Sequence, residues 1–249
     1  MPATDESLPG RELLLGRQAL LRLADSIHEC DRGQQSMEGA AGRIVNLFYD
    51  NLVVKGSGQR AMALVRLFKT HPYGELEPAL KAHVQQQLAD RNPPASMPCL
   101  TLLATAGQEP RWNSRHTSVL HKAIPLASPE LVARAPMIAR LFAQLGMEAD
   151  EVLKPDPSVV LQLEEKIYNV FHVETARGSP HVPDQEDFVI RYRIASVVGF
   201  GGMLPLGSIF AVILFSLVPV RRETAQLFVP LSVSVKIPLL TFAGGKTFE

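Results

Sequence analysis

Between Arg193 and Arg221 the chain carries no charged side chain and no histidine. By length this tract would pass as a membrane-spanning helix. Its interior argues against that, because Gly199, Gly201, Gly202, Pro205 and Gly207 cut it in two and breakers suit a lone lipid-exposed helix badly. The halves, 195–200 and 208–218, are rich in Val, Ile, Phe and Leu, the composition of strands covered on both faces. Residues 203–207 supply turn chemistry between them. The pattern predicts a central β-hairpin and no membrane span.

Elsewhere the periodicity changes. Residues 11–29 set Leu14, Leu15, Ala19, Leu21, Leu23 and Ile27 among polar neighbours, which predicts an amphipathic helix. A second helix is expected over 36–52, then a glycine turn at 56–58. Residues 61–69 read as a strand, with Arg66 and Lys69 spaced onto opposite faces. A loop at 70–74, a helix over 78–91 and a proline-rich connector at 92–98 precede a second strand, 99–106. Residues 109–114 read as a surface turn around Trp112, and 123–126 as a short extended piece. Ser128-Pro129-Glu130 opens a helix expected to run to Leu145 and end at Gly146. Another helix is expected over 156–171, a loop over 176–184, a lead into the hairpin at 188–192, and a final helix from about Arg222. Pro230 and Pro238 fall inside that last helix and are expected to kink or stop it. The order suits an α+β fold, a central antiparallel sheet with helices packed outside it.

Composition narrows the function classes. A chain of 249 residues with 46% hydrophobic and 20% charged residues is ordinary for a globular protein. Formal net charge is zero, and there is no basic stretch with interleaved aromatics, so nucleic-acid binding has no support. The polar, acidic amino-terminal residues lack the pattern of a secretory signal; residues 1–10 read as disordered. Two cysteines, Cys30 and Cys99, are too few for a disulfide framework or a zinc knuckle. A cytoplasmic protein with free thiols is expected.

The hairpin and the segment after it carry a resemblance. The run 193–216 (RIASVVGFGGMLPLGSIFAVILFS) and then 218–228 (VPVRRETAQLF) resemble the end of a GAF-type sensory domain. There a strand with a compact turn leads into an apolar strand, a short loop and a helix returning along the domain edge. The segments 67–76 (LFKTHPYGEL) and 168–173 (YNVFHV) resemble the large GAF-like regions of bacterial signalling proteins, often found beside PAS and histidine-kinase modules. The resemblance implies one GAF-like domain over 11–249 with an insertion at about 107–187. It implies a non-catalytic, cytoplasmic sensor that binds a small ligand or partner and signals through a histidine kinase or other module. A homodimer through the Leu-rich amino-terminal helix is expected.

Candidate chemistry is sparse. The seven histidines (His28, His71, His83, His116, His121, His172 and His181) show no His-Glu-x-x-His spacing and read as dispersed solvated or loop residues, so no metal site is expected. Gly199–Gly202 lacks the lysine and hydroxyl of a phosphate loop and reads as a turn with close backbone approach. Cys30 and Cys99 invite a redox alternative, a sulfoxide-reductase-like enzyme on the same scaffold, but neither has an evident group to lower its pKa. A ligand-free structural adaptor is a third reading. The best ligand site is a pocket between the sheet and the helical middle. Arg66, Lys69, His71 and Tyr73 would supply polar contacts there, and Tyr168, Phe171 and His172 a wall and a donor. The sequence names no cofactor.

Overall fold

A computed structural model describes residues 12–88, 92–118, 121–146 and 169–249. The expected disordered segment 1–10, Tyr168, and the expected helix up to residue 168 lie outside the described residues. The fold is α+β. Six strands form one antiparallel sheet: β1 (Met62–Pro72), β2 (Pro98–Gly107), β3 (Ala123–Pro125), β4 (Phe171–Val173), β5 (Ser196–Met203) and β6 (Ile209–Ser216), in the order β3-β2-β1-β6-β5-β4.

The neutral tract is the hairpin β5–β6. Met203 pairs with Ile209, Pro205–Gly207 makes the turn, and both strands are buried along their whole length. That burial explains the absence of alternation, since helices or loops cover both faces. The 199–202 glycines, expected in a turn, lie inside β5 instead. A Cβ on Gly201 would stand 2.1 Å from the Phe210 carbonyl oxygen, so only glycine permits this close strand approach. No helix among the described residues is long and apolar enough to cross a membrane.

One face of the sheet is covered by α1 (Arg17–His28), α2 (Met37–Asn51), α6 (Arg222–Gln226) and α7 (Leu231–Leu240). Ser36 caps α2, its hydroxyl accepting from the Gly39 amide at 2.9 Å and satisfying one of the donors a helix start leaves open. The apolar stripe of α1, expected as a dimer surface, is largely covered within the chain. Leu23 and Ile27 are buried in the core shared with α2 and α7, and Leu21 stays exposed. α3 (Pro78–Gln87) closes a smaller apolar cluster at the β2–β3 end.

The opposite face is covered by less regular backbone: α4 (Pro129–Ala133), α5 (Pro136–Leu145), the turn at Trp112 and a π-helical turn at Gln185–Ile190. Several expectations change here. The helix expected over 128–145 is two helices, because Pro136 disfavours the α conformation of Ala135 (φ −111°, ψ 80°); Gly146 does end the second, at φ 74°. Phe171 lies in β4 rather than on a helix. Trp112 is buried rather than on the surface, in edge contact with Phe188. β1 runs through the expected loop to Pro72, with His71 opposite Cys99. The last helix is split near Pro230, which caps α7, while Pro238 sits within it.

Candidate functional site

β1 alternates its side chains between two environments. Val65 and Leu67 enter the core shared with α2, whereas Leu64, Arg66 and Phe68 face the other way. Together with Ile213 and Phe215 of β6 they floor a cavity of about 410 Å³. A β-bulge adjoins Arg66, where Leu67 faces Ala104 but Phe68 faces Leu102; bulges of this kind re-aim side chains beside sites.

Arg66 is the charged group of that floor and is 9% exposed. Its Nη2 donates to the Ser118 hydroxyl at 3.0 Å, which fixes the guanidinium in place. Burial lowers its pKa to about 10, opposed by the Asp184 carboxylate, so the group stays cationic at neutral pH. His121 also lines the cavity. Burial first, and then the Arg66 charge, hold its imidazole below its ordinary value, while Asp184 acts the other way.

His121 (φ 57°) and Asp184 (φ 54°) both sit in the left-handed region. Asp and His visit that region more readily than most side chains, yet still at a cost, and such positions gather at sites. The π-helical turn just after Asp184 brings Asp187, Phe188, Arg191 and Tyr192 to the same opening. Trp112 and Tyr192 stand 4.5 Å apart between ring centroids, and Phe188 meets Phe215 edge-on at 4.9 Å. Arg111 donates to the Tyr192 hydroxyl at 3.3 Å. The result is a buried cation below an aromatic corner, with a rim of mixed charge formed by the exposed Arg111, Asp184, Asp187 and Arg191.

The sheet divides the residues singled out from the sequence. Arg66 lines the cavity. Lys69 and His71, expected to contact the same pocket, lie on the opposite face of β1 and do not line it, as alternation along a strand dictates; only the separation of Lys69 from Arg66 was expected from spacing. Lys69 Nζ donates to the Thr70 carbonyl, and burial lowers its pKa to about 8. His71 is buried, not solvated; its Nδ1 meets the Thr101 hydroxyl at 3.0 Å and its ring packs on Phe248 at 5.2 Å. Tyr73 sits on a short 3₁₀ turn with Lys81 over its ring at 5.8 Å. Phe171 is buried in the core on the cavity side, outside the cavity lining. His172 donates from Nε2 to the Val220 carbonyl at 2.7 Å. Tyr168 lies outside the described residues.

Cys30 and Cys99 are free and buried, and burial raises their thiols to about 11 and about 12. Both are therefore protonated at neutral pH and poor nucleophiles. Among the described residues no three His, Cys, Asp or Glu side chains gather as metal ligands would.

No protein-family model matches the sequence, and no curated protein is significantly similar to it. The chemistry of the site therefore rests on its own geometry. Sequence reasoning missed the aromatic corner and the rim. The available signal was the pair Phe188 and Tyr192, four residues apart and so on one side of a helical turn.

Proposed function

We propose that the chain is a non-catalytic, GAF-like sensory domain of bacterial signal transduction. It works in the cytoplasm, binds a small ligand in the cavity over β1, and passes the change to a histidine kinase or other signalling module. The observation that carries the reading is the cavity itself: apolar and aromatic walls around a fixed, buried arginine, the make-up of small-molecule sites. The family part of the proposal is supported by the order of elements, a helix pair, two strands, an irregular middle, an apolar hairpin, and helices returning along the sheet.

β1 offers a route for the signal. Arg66 touches the cavity on one face, and two residues beyond Lys69 the same strand meets Phe248 through His71. The segment at Phe248 is held on the start of α2, where the Met37 and Glu38 amides donate to the Lys246 and Thr247 carbonyls at 3.0 and 2.9 Å. A ligand that favours one setting of β1 would shift the population of the docked segment by its difference in affinity for the two states.

The redox reading is disfavoured by the two protonated, buried thiols. A ligand-free adaptor makes a different forecast from a sensor. Native mass spectrometry of the purified protein, with a thermal-shift screen of metabolites, separates them. A sensor is expected to retain a small molecule or to rise in Tm with ligand concentration, as mass action requires. An empty protein that no metabolite stabilises would leave the adaptor.

A further inference from the structure

We infer that the cavity takes an aromatic monocarboxylate, its carboxylate on Arg66 and its ring in the corner made by Trp112, Phe188 and Tyr192. The inference rests on the proposal that the cavity binds a small ligand, and adds the chemical class.

Charge selects the anion. Arg66 brings a full positive charge to a floor whose neighbours are Leu64, Phe68 and Ile213. In surroundings of low polarity an anion gains far more from that charge than it would in water. The guanidinium is planar and forked, which matches the two oxygens of a carboxylate. Its bond to Ser118 holds the fork before the ligand arrives, so less ordering is needed on binding.

Charge also limits the anion to one unit. The other arginines on the cavity, Arg111 and Arg191, are exposed at the rim. Asp184 already acts on Arg66 with the opposite sign. A phosphate dianion would bring a second negative charge to the floor with no further buried cation among the described lining residues, and a buried charge without compensation is costly.

The walls select a ring. Trp112 is 8% exposed, and the contacts of Trp112 with Tyr192 and of Phe188 with Phe215 are tilted or edge-on. A planar ring entering such a corner can adopt the offset or edge geometry that aromatic groups prefer. The volume of about 410 Å³ lies at the small end of ligand cavities, which suits one or two fused rings better than a nucleotide.

Calorimetric titration of the full chain with three probes tests this: 2-naphthoate, 2-naphthamide and 2-naphthyl phosphate. 2-Naphthoate is expected to bind at least about tenfold more tightly than its amide, and more tightly than the phosphate. Asp184→Asn removes one rim charge and keeps a side chain at home in the left-handed region. It is expected to tighten 2-naphthoate severalfold and to leave the amide unchanged. Arg66→Gln is expected to abolish the preference for acid over amide. If that variant does not fold by circular dichroism, the acid–amide comparison in the natural protein and the Asp184→Asn shift decide. Equal binding of acid and amide, or tighter binding of the phosphate, overturns the monocarboxylate and leaves the small-ligand proposal standing. Failure of every probe also overturns the monocarboxylate, and an empty protein that no metabolite stabilises overturns the small-ligand proposal with it.

Discussion

On the α1–α2–α7 side of the sheet, Phe48, Phe200 and Phe228 pack in a chain, edge-on and then tilted, with centroids 5.6 and 5.7 Å apart, and all three are at most 1% exposed. On the other side, the same central strands meet 3₁₀ and π turns and two short helices, and a cavity remains. Regular helices present a continuous apolar stripe that fills the groove above a sheet. Irregular backbone leaves gaps and carries polar groups to them. One side of this sheet is filled by packed side chains, and the other keeps the cavity to which we assign binding.

The largest effect expected from that division is at Phe48. Phe48→Ala removes a fully buried ring from the packed side and should cost about 3–5 kcal/mol, read as a lower urea midpoint at unchanged slope. A loss below about 1.5 kcal/mol would mean that this side is no better packed than the cavity side, and the contrast between them would fail.

Titration probes the packed side from another direction. Burial, with the Lys69 charge adding to it, lowers the His71 pKa from 6.5 to about 3, so the imidazole is neutral in the fold and protonates in the unfolded chain. Its contribution is whole above about pH 6.5 and is lost as pH falls from there towards about 3. Between about pH 7 and about pH 5 this amounts to about 2 kcal/mol. Urea unfolding of His71→Gln across that range should show a shallower fall than the natural protein. The remaining slope belongs in part to His83 and His121, both also lowered by burial. A variant with the unaltered slope would show that His71 is not held neutral in the folded protein.

Much of the packed side was legible in the sequence. The uncharged tract between Arg193 and Arg221, broken by glycine and proline, marked the hairpin, and Ser36 marked the start of α2. The cavity was not legible, because its parts come from places with no shared pattern. Trp112 stands among Glu109, Arg111 and Asn113, which read as surface, yet its ring turns inward onto Phe188 and Tyr192. His121 and Asp184 reach the opening through left-handed backbone, which neither residue type specifies alone. Spacing did separate Arg66 from Lys69, but alternation along one strand cannot say which side will be filled by helices. Phe171 was expected at the end of a helix for a related reason: a short apolar run beside a helix-like pattern fits either period, and pairing with Gly199 makes it a strand instead.

The smallest effect on stability is expected from the residue most important to the site. Arg66 is buried, so truncating it would ordinarily be severe, but a long apolar replacement changes the balance. Arg66→Met keeps most of the volume and removes the cost of holding a cation among Leu64, Phe68 and Ile213. It gives up the bond to Ser118, a contribution of about 1.5–3 kcal/mol for a charged donor, together with the attraction of Asp184. Gain and losses oppose each other, so the variant should unfold within about 1 kcal/mol of the natural protein while losing its preference for an acid ligand. That outcome would mark Arg66 as present for binding at no gain to the fold, unlike Phe48. A loss near that of Phe48→Ala would instead make Arg66 part of the structure of its side, and the two sides of the sheet would then differ in shape but not in role.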